Sequence, residues 1–320
     1  SGEIDFIGRR SADKPVFIDN QDRGNYRLYD SISTSMNSVV LALNLTHPDP
    51  LKREVFNNKD FRAGLSHAID RQEIIDLVFV AQGEPWQTSP PRESPFYNER
   101  LAKQYTEYDV ELANEHLDRV LPERDAQGFR LGPDGQRFSF QFEAPSRVQD
   151  WVDTLELVSG YWREVGIDMQ VRSMADALLG ERKGSNLHDA VVWGGDGGLD
   201  ALLEPRWYFP VGGESNFAIP WARWYSGAEG PREEPSAPAK QQMELYRQVQ
   251  ATADPEAQRE LFGQILEIAA DEFWVMGITL PTPGYGIVKN DFRNVPNTII
   301  SSWLYPTPGP TNPFQYFKEQ

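Results

Sequence analysis

From residue 39 to residue 45 the chain is almost unbroken in apolar side chains, Val39-Val40-Leu41-Ala42-Leu43-Asn44-Leu45, and it stops at Thr46-His47-Pro48-Asp49-Pro50. A short, β-branched run closed by prolines predicts a buried strand. The period then changes. Phe61, Leu65 and Ile69 recur every four residues behind Asn58 or Asp60 as cap, which predicts a helix. Asp70 caps a second, abutting helix, with Glu73 in the capping-box place and Ile74, Ile75 and Val78 facing inward. Gly83 and Glu84-Pro85 end it. Residues 86–98, rich in proline and serine, read as an irregular surface loop.

The middle of the chain repeats strand and helix periods in turn. Asp109 caps a short helix that buries Val110, Ala113 and Leu117. The Pro133-Asp134-Gly135 turn separates Phe129 and Leu131 from the alternating Phe138, Phe140 and Phe142, as in a hairpin. Ser146 opens a long helix with Val148, Trp151, Leu155, Val158 and Trp162 inward, and Gly166 closes it. Ile167, Met169 and Val171 alternate as the next strand. A strand–helix–strand unit of this size predicts a parallel pair with a right-handed crossover. A short helix at 174–179 and a third strand at 190–193 extend the sheet, so the fold class is α/β. Residues 194–230 carry glycine, proline and tryptophan without a clean period. Two helices follow, one over 238–252 and one behind Asp254-Pro255 with Leu261, Ile265 and Ile268 as its stripe. Residues 275–280 suggest a strand, and the tail from Pro281 is proline-rich.

Composition narrows what this α/β chain can do. Its 320 residues are 39% hydrophobic and 12% aromatic, enough for a sizeable core. A net charge of −17 repels the polyanions of nucleic acid and anionic lipid, so a nucleic-acid partner is set aside. With no cysteine there is no disulfide, thiolate nucleophile or cysteine-bound metal. No apolar run approaches the roughly 20 residues that span a bilayer, and the start has no secretion-signal pattern.

The search for catalytic chemistry yields little. His47, His67, His116 and His188 are not at metal-ligand spacing, and no nucleophile elbow or phosphate-cradling lysine loop is present. A carboxylate pair picked from 48 acidic residues without a scaffold carries almost no information. Two segments stand out. Trp193-Gly194-Gly195-Asp196-Gly197-Gly198 follows a strand but lacks the dinucleotide fingerprint. A loop at the carboxyl end of a parallel strand is where α/β proteins bind ligands, and Asp196 would put a carboxylate there. Alternatively its glycines make a tight turn and Asp196 only bonds local backbone. The second segment holds Trp207, Tyr208, Phe209, Phe217, Trp221, Trp224 and Tyr225. These rings would stack on sugar or peptide groups, with Arg206 clamping a carboxylate, or they would form a satellite core under a long loop.

Residues 57–75, Asn57-Asn58-Lys59-Asp60-Phe61-Arg62-Ala63-Gly64-Leu65-Ser66-His67-Ala68-Ile69-Asp70-Arg71-Gln72-Glu73-Ile74-Ile75, resemble the signature of family 5 extracellular solute-binding proteins. These are the receptors of dipeptide, oligopeptide, nickel and some oligosaccharide ABC importers. Ser1-Gly2-Glu3-Ile4-Asp5 is similar to the segment that closes the family's first lobe. Tyr108-Asp109 with its helix, Val165-Gly166-Ile167, Trp193-Gly194-Gly195-Asp196 and the ending Asn312-Pro313-Phe314-Gln315-Tyr316-Phe317-Lys318 are similar to later family segments. Many peptide-binding members have tyrosine and proline after the aspartate, where this chain has Gly197-Gly198-Leu199.

The resemblance implies a type II periplasmic-binding-protein fold of two α/β lobes on a hinge. Residues 1–33 would be a trailing piece of the first lobe, 34–285 a mostly complete second lobe, and 286–320 the return to the first. Family receptors are about twice this long, so the chain is expected to be a truncated piece lacking a secretion signal and most of the first lobe. The implied function is that of a monomeric, non-enzymatic substrate-binding component. It would capture peptides or oligopeptides and hand them to permease subunits, without cofactor or metal. Its place would be periplasmic or extracellular, with a lipid anchor on the precursor. The implied ligand contacts are Trp193, Gly195, Asp196, Arg206 and Trp221, with Asp196 binding an ammonium or hydroxyl. An oligosaccharide receptor of the same family and a secreted carboxylate-pair hydrolase are the alternatives.

Overall fold

Val39, Val40, Leu41, Ala42 and Leu43 are at most 1% exposed and lie in the strand Asn37–Leu43, inside a five-stranded sheet. The computed structural model describes residues 6–9 and 13–319, so the similarity at Ser1-Gly2-Glu3-Ile4-Asp5 falls outside the described residues. The strand order is Asp168–Met174, Ser139–Pro145, Ala190–Gly195, Asn37–Leu43, Met276–Gly277. The first three run parallel, in the registers Phe140↔Met169 and Phe142↔Ala190. Asn37–Leu43 is antiparallel to both of its neighbours.

The helix Gln149–Glu164 makes the predicted connection between the first two parallel strands and buries Thr154, Leu155, Val158 and Trp162. Complete burial of side chains such as Leu155 and Val158 contributes about 1.5–3 kcal/mol each. Gly166 leaves this helix at φ +82°, a backbone that L side chains rarely adopt. A Cβ there would lie 2.6 Å from the Gly128 carbonyl oxygen.

The segment 57–75 forms the two predicted helices, Lys59–His67 and Arg71–Val78, capped by Asn58 and Asp70. The reciprocal half of the capping box is not made, because Glu73 accepts from the Tyr161 hydroxyl at 2.6 Å instead. The two arginines of this segment are buried and act as staples. Arg62 donates to the carbonyls of Phe56, Glu272 and Phe273, the last two at the end of the helix Pro255–Glu272. Arg71 donates to Gly277, 2.9 Å away, and to Ser66. A helix end has carbonyls without intrahelical partners, and Arg62 supplies them.

Four expectations are corrected. Residues 86–98 are not simply a surface loop: Trp86, Gln87 and Ser89 are fully buried. The Trp86 indole donates to the Ser89 carbonyl at 2.9 Å while Arg92 and Lys103 cover its ring. Pro50 begins a helix, Pro50–Asn57, because proline tolerates the first helical position and Asp49 caps it. A further helix, Ile219–Ser226, lies inside the glycine-rich stretch. On Pro255–Glu272 the buried face is Phe262, Ile265, Leu266, Ala269 and Ala270, which leaves Leu261 and Ile268 only partly covered.

A second sheet has four strands in the order Phe6–Arg9, Gly284–Lys289, Tyr26–Ser33, Thr298–Ser301, with a separate core of Tyr29, Val288, Val295 and Ile299. The chain passes between the sheets at residues 34–36 and again at 281–283, so Gly284 and Tyr285 already belong to the smaller sheet. Asn37 stands just past the first crossing. Its amide nitrogen donates to the Trp86 and Gln87 carbonyls, at 2.9 and 3.1 Å. Its oxygen accepts from Val39, Ile278 and Thr279, each at 3.1 Å. Those last two bonds interrupt the strand expected at 275–280, which appears as two short pieces, Met276–Gly277 and Thr279–Leu280.

Candidate functional site

The strand Ala190–Gly195 carries the glycine loop out at the carboxyl end of the parallel strands. Gly195 pairs with Asn37, and a Cβ on it would meet the Asn37 side chain at 2.7 Å. Gly197 takes φ +82°, and a Cβ there would lie 2.0 Å from the Glu204 carbonyl oxygen. A tyrosine after Asp196 cannot adopt this path, so the loop doubles back. The Tyr208 hydroxyl secures the turn by donating to the Gly197 carbonyl at 2.6 Å. Gly198 and Leu199 donate to the Thr34 carbonyl at 2.8 and 3.0 Å, tying the loop to the first crossing.

This fold-back brings Asp196 and Arg206 together, with 2.6 Å between Oδ2 and Nη2. Arg206 is buried and has a second carboxylate, Glu204, 3.3 Å from its Nε. Burial pushes the Asp196 carboxyl up, and Arg206 opposes it. Asp196 Oδ1 has no hydrogen-bond partner among the described residues. Nearby Asp200 accepts from Ser302 Oγ at 2.9 Å and from the Tyr305 hydroxyl at 3.3 Å. The exposed Trp303 donates to Glu204 at 3.3 Å. The C-terminal segment is therefore fastened to the same loop. Sequence reasoning missed Glu204, Asp200 and this segment; Glu204, two residues before Arg206, was the one local signal.

The aromatic residues divide. Trp207, Tyr208, Phe209 and Phe217 are buried in the main core. Trp221 is 5% exposed, with Trp274 edge-on at 6.1 Å and its indole donating to Glu233 at 3.2 Å. Trp193 is only partly buried. It packs beside Trp151, under the Lys183 ammonium, and lines a cavity of about 400 Å³ with Asp176, Leu179, Glu214 and Arg223. The expected contacts Gly195, Asp196 and Arg206 thus share one loop, Trp193 precedes it beside a cavity, and Trp221 lies in the core.

The histidines are held locally. His47 bonds Asp189 at 2.8 Å, His67 the Glu107 carbonyl at 3.0 Å, His116 Asp60 at 2.7 Å and His188 the Asn216 carbonyl at 2.9 Å. Among the described residues no three metal-ligating side chains are grouped, and no helix is long and apolar enough to cross a membrane.

Residues 1–215 match the family described as bacterial extracellular solute-binding proteins, family 5 middle. The chain belongs to this family. Among solved family 5 and related structures, an oligopeptide-binding protein, OppA, shares 31% identity over 100% of this chain and 54% of its own, with a TM-score of 0.80. The periplasmic binding protein MelB from Agrobacterium fabrum C58, in complex with stachyose, gives 19% identity, 92% and 45% coverage, and 0.75. The oligopeptide-binding protein AppA from Bacillus subtilis, in complex with a nonapeptide, gives 18%, 100% and 57%, and 0.71. The latter two likenesses show the fold alone, and it is that of periplasmic binding proteins. The chain spans about half the length of these structures. No curated protein sequence matches it.

Proposed function

We propose that this chain supplies the second lobe of the substrate-binding component of an ABC importer, which captures peptides or oligopeptides outside the cytoplasmic membrane and delivers them to the permease. In this reading the five-stranded sheet and its helices are the second lobe, and the four-stranded sheet belongs to the first. The crossings at 34–36 and 281–283 are then the hinge about which the lobes close on ligand.

The observation that carries the peptide reading is Asp196. Its carboxylate stands at the carboxyl end of a parallel strand, with one oxygen on Arg206 and the other without a partner among the described residues. A peptide ammonium supplies the donors and the charge that this oxygen lacks. The 31% identity to an oligopeptide-binding protein along the whole chain supports the same reading. An oligosaccharide is the second reading, supported by the partly buried Trp193 beside a cavity, since an indole face packs against a sugar ring. Nothing in the ion-paired Asp196 favours a hydrolase.

The test is calorimetric titration of the intact receptor with alanine peptides and with raffinose. Peptide binding is expected, and Asp196→Ala should weaken it about 10- to 100-fold, the worth of one charged hydrogen bond. Raffinose binding with no peptide binding would move the assignment to sugars. Unchanged peptide affinity in the variant would remove Asp196 from the site.

A further inference from the structure

Lys183 lies in the last turn of a helix, Asp176–Gly184, that covers the sheet, a place that suits a cation. Its side chain is only 6% exposed, yet its ammonium reaches the cavity of about 400 Å³ beside Trp193. Removing an ammonium from water costs several kcal/mol unless a partner compensates. The partner is Glu214, 2.9 Å away and 45% exposed. Burial holds the lysine below its usual value, against the pull of Glu214.

The surroundings are arranged for a negative group. Glu214 follows Gly212-Gly213, where added side chains would meet open space, so no neighbouring side chain at these two positions confines it. Asp176, the cavity's other acid, is taken by Arg147 at 2.8 Å. Arg223, also on the cavity wall, is anchored to the Gly184 carbonyl at 2.7 Å. Once the Glu214 side chain swings toward solvent, the cavity presents Lys183 and Arg223 with one already neutralised carboxylate.

We infer that the Lys183–Trp193 cavity is a carboxylate-binding subsite, and that Glu214 fills it as an internal stand-in until a ligand carboxylate displaces it. The inference rests on the receptor reading for the identity of the ligand and on the cavity alone for its chemistry. Under the receptor reading the displacing carboxylate is a peptide's own C-terminus, and a short peptide such as trialanine supplies one.

The experiment follows amine labelling of Lys183, relative to the exposed Lys240, by mass spectrometry in the 320-residue chain, wild type and Glu214→Gln, with butyrate, trialanine or trialanine amide as competitor titrated well above the millimolar range. The amide of Glu214→Gln keeps an oxygen that can accept from the Lys183 ammonium, and far-ultraviolet circular dichroism verifies that the variant is folded before it is labelled. Butyrate is expected to protect Lys183 in a saturable way. Half-protection should need about tenfold less butyrate in Glu214→Gln, since an internal occupant lowers apparent affinity by the fraction of time the site is vacant. Trialanine should protect and its amide should not. Failure of butyrate to protect Lys183 in Glu214→Gln overturns the subsite, as does equal protection by trialanine and its amide. Protection by butyrate but by neither peptide upholds the subsite and counts against the peptide reading instead.

Discussion

His188 is wholly enclosed ahead of the strand that ends at the candidate site, with Nε2 on the Asn216 carbonyl. Burial pushes its imidazole down to about 4, against an ordinary value of 6.5. The unfolded chain therefore takes up a proton on this residue between pH 6.5 and 4 while the folded chain does not. Stability should be flat in this term above pH 6.5 and fall as pH drops through that window, by about 3 kcal/mol in all. Urea denaturation of wild type and His188→Gln across the window checks this, because the variant should lose that part of the slope. At this scale the sequence revealed some things and hid others. Asp196 stands out in the sequence as a candidate because a glycine loop behind a parallel strand is a usual place for ligands. Its pairing with Arg206 does not, since it depends on Gly197 turning the chain back. Which tryptophan is core was equally hidden, because Trp221 is covered by Trp274 from a distant helix end.

Among the elements, the helices with acid or amide caps were plain in the sequence: Asn58, Asp70, Asp109 and Asp254 each accept a backbone N–H where the pattern placed them. Misreadings came from tertiary context. Pro50 ends the apolar strand pattern in the sequence, yet proline serves equally well to start a helix, and here it does. On Pro255–Glu272 Ile265 is buried as the stripe expects, while Leu261 and Ile268 give way to Phe262 and Ala269, because the helix packs on two neighbours, with Gln242 bonding the Ile265 carbonyl at 2.8 Å. Gly166 was legible as a helix end, and the structure adds why no other residue suits it. Gly166→Ala should destabilise by about 2 kcal/mol or more, as the left-handed backbone alone costs about 1–2 kcal/mol and the Gly128 carbonyl must also move. The shift of the urea midpoint measures it.

For the whole molecule, the α/β class and the parallel unit followed from alternating periods, and the family from residues 57–75. The structure shows that this most recognisable segment is architectural. Arg62 and Arg71 bond backbone carbonyls of distant segments, and none of its residues lies on the Asp196 loop. A motif can thus identify a fold while saying nothing of the ligand. If ligand is enclosed between two lobes, this chain alone lacks much of the enclosing wall, and small-molecule sites bury most of their ligand's surface. Calorimetry on the 320-residue chain should then show no peptide binding tighter than about millimolar, near the limit set by a few polar contacts. Micromolar affinity would contradict the two-lobed account.

The side chain of Asn37 carries a consequence for how the main sheet breathes. It joins the first crossing, the buried Trp86 turn and the interrupted edge strand through a single planar group that both donates and accepts hydrogen bonds. Aspartate has the same shape and keeps the receiving oxygen, but sets a negative charge against two carbonyls in the interior. In Asn37→Asp the Ile278 and Thr279 amides should pick up deuterium at least tenfold faster, while those of Phe142 and Met169 across the sheet keep their native rates. Uniform acceleration everywhere would mean that the sheet opens as one unit rather than unzipping from this knot.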